Sequence, residues 1–189
     1  MKKYIFGGLF YLTIIAFSSF AWLKQGDDAS FNQEFLDLIN QTRTKGCKCG
    51  GTWYPPAPPI VWNNDLEEAA KDHAKDMARK SYFSHESKDG RTMNTRIVTA
   101  GYQFKGWKSF MIGENIAFGQ TSIPEVMAGW FKSEGHCRNL MNPGFKEVGV
   151  AEYNKYWVQD FGGRVPFTEE QQKLIKSGKY RLIQKDPGS

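Results

Sequence analysis

Cysteine and histidine are scarce in this 189-residue chain, three of each, and no His-Glu-x-x-His run marks a metalloprotease helix. Internal repeats and low-complexity segments are lacking, which excludes solenoid and fibrous architectures. Clustered Lys and Arg are lacking too. The formal net charge is +5, but the basic residues are scattered among acids and read as a solvated surface, so nucleic acid is not expected as a partner. No cysteine follows the apolar run at the N-terminus, which excludes a lipid-modified N-terminus.

What is present begins with that run. Met1, Lys2 and Lys3 precede "YIFGGLFYLTIIAFSSFAW", with small residues at Ser18, Ser19 and Ala21. A positive start, an apolar stretch and small residues near a cleavage point predict a secretory signal over residues 1–21. The run approaches the roughly 18 to 20 residues that span a bilayer, so an uncleaved N-terminal anchor is the alternative, and the only membrane contact expected. Either way the rest is exported, to a secreted or periplasmic location. Without residues 1–21 the chain keeps 23 basic against 20 acidic side chains. What remains suffices for one domain over residues 30–164, expected to be a monomer, followed by a charged extension over 165–189.

Helical spacing of Phe31, Phe35, Leu38 and Ile39 predicts a first helix to about Lys45, stopped at Gly46. "YPPAPP", Tyr54 to Pro59, has four prolines in six residues and predicts a stiff extended connector. A second helix starts at "NNDLEEAA", where Asn64 and Glu67 have capping-box spacing, and its inner stripe is Leu66, Ala69, Ala70, His73 and Met77. His73 is read there as a satisfied core histidine. A polar loop, "FSHESKDGR", leads to a third helix over Met93 to Ala100. "SFMIGENIAFG" suits a strand interrupted at Gly113. Pro124 opens a fourth helix with Val126, Met127, Trp130 and Phe131 on one side. "EVGVAEY" and "YWVQDFG", joined by Asn154-Lys155, predict a hairpin. Thr168 is placed to cap a short helix over Glu169 to Lys176. The order predicts an α+β fold with an antiparallel sheet carrying helices on its faces. Trp107, Trp130, Trp157 and Phe161 are read as core or cleft wall.

The cysteines are Cys47, Cys49 and Cys137. In an oxidising compartment an odd count gives one bridge and one leftover thiol. A bridge between Cys47 and Cys49 would be strained, whereas either could reach Cys137. Closing a loop of that length stabilises by about 4 kcal/mol in the chain-entropy model.

"WNNDLEEAAKDHAKDMA", "YFSH", "GENIAFG", "GWFKSEGHCRNLMNPGFKEVGVA" and "YWVQDFG" stand in the order and spacing of the CAP superfamily, the cysteine-rich secretory, antigen 5 and pathogenesis-related proteins. The chain resembles its bacterial SCP-like branch from about Phe31 to Gly162. That resemblance implies a three-layer α-β-α sandwich with a central antiparallel sheet. It also implies a cleft holding His85 of "YFSH", Glu114 of "GENIA" and His136 of "SEGH". Where animal and plant members carry a second acid, three residues after a tryptophan, this chain has Ser133, so the fourth cleft residue is Ser133 or the adjacent Glu134. The "CGG" of bacterial members resembles this chain at Cys49, which makes Cys49–Cys137 the preferred bridge and Cys47 the spare thiol.

Two imidazoles and a carboxylate in one cleft suit zinc or another divalent metal, and His85, Glu114 and His136 are the expected ligands. Glu114 has an alternative role, bracing loops or pairing with His136. The resemblance also implies a binding module for a small lipid or cell-envelope ligand. A secreted hydrolase using the same cleft is the alternative. Ser133 or Cys137 beside His136 gives a nucleophile and base only superficially, because adjacent residues rarely aim at each other and a bridged cysteine is not a nucleophile.

Overall fold

The computed structural model describes residues 14–179, with side chains described from Ala29 onward. The predicted signal therefore lies mostly outside the described residues, as does the end of the charged extension. Among the described residues no helix is long and apolar enough to cross a membrane.

The chain runs α1 (Ile14–Lys45), β1 (Cys47–Cys49), β2 (Thr52–Tyr54), β3 (Val61–Trp62), α2 (Asn64–Lys80), α3 (Met93–Thr99), β4 (Ser109–Phe118), α4 (Ile123–Lys132), α5 (Glu134–Met141), β5 (Glu147–Tyr153), β6 (Tyr156–Val165) and α6 (Glu169–Lys176). The main sheet has the order β3-β5-β6-β4, and β1 and β2 form a separate hairpin. β5, β6 and β4 are antiparallel, as expected, and β3 adds a two-residue parallel edge that the sequence reading did not include. At the β5–β6 turn Asn154 and Lys155 both take positive φ, 51° and 66°, the geometry that matches the twist of a two-residue hairpin.

Alternation along the strands separates the two sheet faces. One face presents Ile112, Glu114, Ile116, Val158, Asp160, Gly162, Gly149 and Ala151 toward α2 and α3, where Ala70, Ala74 and Met77 cover Ile116, Ala151 and Val158. The other face presents Val148, Val150, Trp157 and Phe161 to Phe35 and Ile39 of α1 and to Val126, Met127 and Trp130 of α4. Helices on both faces make the three-layer sandwich. α2 can approach closely because its inner stripe is rich in alanine and the strand below it has Gly149: a Cβ there would lie 2.0 Å from the Glu67 backbone nitrogen.

Four local expectations are corrected. α2 is capped by Asn63, not Asn64: its side chain accepts from the backbone N–H groups of Asp65 and Leu66, and Glu67 instead accepts from the Trp62 indole at 2.8 Å. β4 passes Gly113 without interruption, paired with Phe161. The missing side chain at Gly113 serves packing, because a Cβ would stand 2.6 Å from the Phe145 ring. α5 follows α4 directly, with Ser133 ending one helix and starting the next. Finally, "CKCGGTWY" forms the β1–β2 hairpin around Gly50 and Gly51.

The Pro-rich connector is fastened by two α1 side chains. Asn40 exchanges two hydrogen bonds with the backbone of Ile60, at 3.0 and 2.8 Å. Arg43 is fully buried and donates to the carbonyls of Pro58, Leu140, Asn142 and Phe145 at 2.7–3.1 Å. Burial lowers its pKa to about 10, still charged at neutral pH, and its charge sits at the carbonyl end of α5 where a cation is favoured. Thr168 caps α6 in a capping box with Gln171.

Gly149→Ala is expected to destabilise the domain by about 3 kcal/mol or more, because the clash is with helix backbone and not with a flexible side chain. Urea denaturation of the variant against wild type measures this; a loss below the scatter of surface substitutions would contradict the packing described.

Candidate functional site

β4 is the outer strand of the main sheet, so groups from both helical layers can meet at its edge. On the α2–α3 side, His73 is buried and its Nε2 bonds the Ser84 carbonyl at 2.9 Å, fixing the start of the segment that carries His85. Burial lowers its pKa, which suits the structural role expected of it. Arg96, on α3 and 3% exposed, donates to the carbonyls of His85 and Arg91 and to the Ser87 hydroxyl. One guanidinium thereby shapes the loop from His85 to Arg91.

The same guanidinium donates through Nη2 to Glu114 Oε2 at 2.6 Å. The other Glu114 oxygen bonds His85 Nδ1 at 2.7 Å. The Glu114 side chain is 1% exposed while that of His85 is 58% exposed, so the buried carboxylate holds an imidazole that faces solvent. Burial by itself raises the Glu114 pKa; the His85 hydrogen bond and the Arg96 charge outweigh it and hold the group below the usual carboxylate range. An ionised carboxylate only accepts, so His85 Nδ1 is the donor and its Nε2 keeps a lone pair.

Asp160 stands directly opposite Glu114 in the β4–β6 ladder and is fully buried. As an anion it would leave both its oxygens without a hydrogen-bond partner. Burial first, and the neighbouring Glu114 charge second, push its pKa well above the usual range. The pair is therefore one anion and one neutral acid, with the Asp160 proton shared toward Glu114.

His136 comes from α5 in the opposite layer. Asn139 of the same helix donates to the Glu114 backbone carbonyl at 3.2 Å and to Asn115 Oδ1 at 2.9 Å, and Asn115 donates to the His136 carbonyl at 3.3 Å and to Gln159 at 2.9 Å. These amides fix α5 against the β4 edge. His136 is half-buried; burial first, and the nearby His85 second, lower its pKa, so it is neutral and able to use a lone pair at neutral pH.

Cys49 and Cys137 are joined by a disulfide, and Cys47 is free. The bridge ties α5 to the β1–β2 hairpin directly after His136. Of the two candidates for a fourth cleft residue, Glu134 lies with its carboxylate against the β1–β2 turn, where a Cβ on Gly50 would be 2.6 Å from Glu134 Oε2. Ser133 sits at the junction of α4 and α5, and its hydroxyl makes no cap bond to the helix it precedes. Trp130, Trp157 and Phe161 are core, while Arg164 stacks over Trp107 at 5.0 Å.

His85, Glu114 and His136 are thus associated around one edge, yet their ligand atoms do not form a tight cluster of three. Among the described residues only Cys47, Cys49 and Cys137 have potential ligand atoms all within 4.8 Å of one another, and two of those sulfurs are spent in the bridge. Sequence reasoning missed Arg96 and Asp160. Asp160 had a signal: it alternates with Val158 and Gly162 on an inward face, where a charged residue requires a special partner. Arg96 had none, since its partners are scattered in sequence.

Comparison with known proteins places these features in context. A family model described as the cysteine-rich secretory protein family, CAP, matches residues 36–161. Protein YkwD of Bacillus subtilis (strain 168) is 33% identical over 144 residues, 72% of this chain and 48% of that one. Membrane protein YlbC of the same organism is 31% identical over 129 residues, 68% of this chain and 33% of that one. The chain therefore spans half or less of the curated relatives it matches. Among solved structures, an extracellular protein containing an SCP domain from Bacillus anthracis str. Ames has 32% identity and a TM-score of 0.58, over 68% of this chain and 39% of that one.

Two outcomes are expected of the buried charges. Arg96→Met leaves Glu114 buried without its cation and is expected to cost about 3–5 kcal/mol in a denaturant titration, with Glu114→Gln added to it recovering part of the loss. Asp160 has a raised folded pKa, so its contribution to stability is full below the unfolded value of about 4 and is lost as pH rises toward the folded value. Asp160→Asn should therefore be more stable than wild type at pH 7, by roughly 1–3 kcal/mol, with the gain shrinking toward pH 4. An equal effect at both pH values would mean that Asp160 is not held neutral.

Proposed function

The chain belongs to the cysteine-rich secretory protein (CAP) family in its bacterial SCP type, and on that premise we propose that it is an exported domain whose cleft at the β4 edge binds a divalent metal, zinc above all, through His85 and His136. The observation that carries the reading is the His85 Nδ1–Glu114 contact at 2.7 Å, with the second Glu114 oxygen taken by Arg96 at 2.6 Å. A metal-ligating histidine usually presents one ring nitrogen while the other donates to a carboxylate, which fixes the tautomer and raises ligand basicity. Glu114 fits that orienting role better than a ligand role, because both its oxygens are engaged. The donor set of neutral imidazoles suits zinc, which when bound would supply a Lewis-acidic centre with open positions.

The residues around the cleft favour binding over turnover. Phe83, two residues before His85, and Phe118, at the end of β4, are 52% and 53% exposed. Their rings lie 6.5 Å apart, and Phe118 meets Tyr156 at 4.4 Å. An apolar wall beside a polar cleft suits a small lipid-like or cell-envelope ligand with one polar end. Extracytoplasmic placement agrees with the extracellular relative and with the N-terminal apolar run.

Zinc titrated into the purified domain at neutral pH should release or absorb heat and move the imidazole signals of His85 and His136. His85→Ala and His136→Ala should each weaken binding by roughly tenfold or more, and Glu114→Gln by about 10–100-fold although both imidazoles remain. Affinity should fall as pH drops through the histidine range, since protonated imidazole cannot coordinate. No heat and no shift would sink the reading; ester or peptide turnover abolished by Glu114→Gln would replace it with the hydrolase alternative.

A further inference from the structure

Three sulfurs meet beside the cleft, and only two are needed for a bridge. Cys47 and Cys49 lie two apart on β1, so both side chains point to the same side of that strand, toward α5. Cys47 Sγ is 3.6 Å from Cys137 Sγ and 4.0 Å from Cys49 Sγ. The bridged sulfurs belong to residues that are fully buried, 0% exposed for both Cys49 and Cys137, whereas Cys47 is half-buried. A thiol from solution can therefore reach Cys47 but not the bridge.

We propose that Cys47, Cys49 and Cys137 form a thiol–disulfide exchange site in which Cys137 is the shared pivot and Cys47 is the entry point for small thiols. In the first step the Cys47 thiol loses its proton to water and its sulfur attacks Cys137 Sγ. The Cys47–Cys137 bond forms, the Cys49–Cys137 bond breaks, and the electron pair leaves on Cys49 Sγ, which takes up a proton. Nothing is oxidised or reduced overall. In the second step a small thiolate attacks Cys47 Sγ, now bridged and accessible, and Cys137 leaves as the thiol. A second thiolate then removes the first from Cys47 as a free disulfide, leaving three thiols in the protein.

The two bridged forms are closely matched. They span 88 and 90 residues, so loop-closure entropy does not distinguish them. Either form places one cysteine in the pocket lined by Met141, Tyr54 and Phe131, and a free Cys49 thiol behaves there as a small apolar group. The three sulfurs form a triangle and not a line, so the attack needs the Cys47 side chain to turn between staggered states. Burial also raises the Cys47 thiol pKa, which keeps the thiolate scarce. Both make the exchange slow, on the scale of minutes to hours.

The test compares wild type with Cys47→Ser under native conditions in reduced glutathione, following bridge loss by alkylation and peptide mass spectrometry. In wild type without glutathione, a Cys47–Cys137 peptide should appear beside the Cys49–Cys137 peptide, with Cys49 alkylated in that fraction. With glutathione, Cys47→Ser should lose its bridge roughly tenfold or more slowly than wild type. Cys47→Ala serves the same purpose if the serine is poorly tolerated, and matched thermal unfolding curves exclude loss of fold as the cause. Equal reduction rates, or absence of the Cys47–Cys137 peptide, would overturn the proposal.

Discussion

The site depends on a single buried carboxylate. Glu114 sits in the edge strand, almost without exposure, and has a cation on one oxygen and an imidazole on the other. Burying an ion is costly unless it is paired and hydrogen-bonded, and here the pairing also sets the geometry: Arg96 fixes Glu114, and Glu114 fixes His85. Because Arg96 also binds the carbonyls of His85 and Arg91, the loop and the carboxylate are held by the same group. Asp160 completes the arrangement as a neutral acid. The charge count under the cleft is then one anion against one cation, which two ionised acids would upset.

The opposite layer is held to the same edge by different means. No charge is involved there; Asn115, Asn139 and Gln159 form an amide network with each donor aimed at an acceptor, and Arg43 draws the end of α5, the Pro-rich connector and the approach to β5 together through carbonyls alone. The Cys49–Cys137 bridge adds a covalent tie from α5 to the β1–β2 hairpin. His136 thus sits on a helix secured at its start, its middle and its end, while His85 sits on a loop secured from beneath. The two imidazoles approach the cleft from separate layers, and neither depends on the other for its placement.

Much of this was legible in the sequence, and the limits have physical causes. Periodicity carried α2, α4 and the β5–β6 hairpin, because Leu66 to Met77 and Val126 to Trp130 repeat at helical spacing and Asn154 accommodates positive φ. The site residues were reached through family resemblance, since His85, Glu114 and His136 are too far apart for any local pattern to join them. α5 was overlooked although Cys137, Leu140 and Met141 have helical spacing, because its eight residues follow α4 without a break. Gly113 was read as an interruption when its role is to admit the Phe145 ring. Arg43 and Arg96 carried no signal at all: a buried guanidinium satisfied by distant carbonyls looks, in sequence, like any surface arginine.

The central claim is that Glu114 accepts a proton from His85 Nδ1 and leaves Nε2 free for a ligand. Nitrogen-15 long-range correlation spectra of the histidine rings at neutral pH read the tautomer directly. The account predicts that His85 carries its proton on Nδ1 and that Glu114→Gln abolishes that preference. A His85 ring protonated on Nε2, or one whose tautomer does not respond to Glu114→Gln, would contradict it.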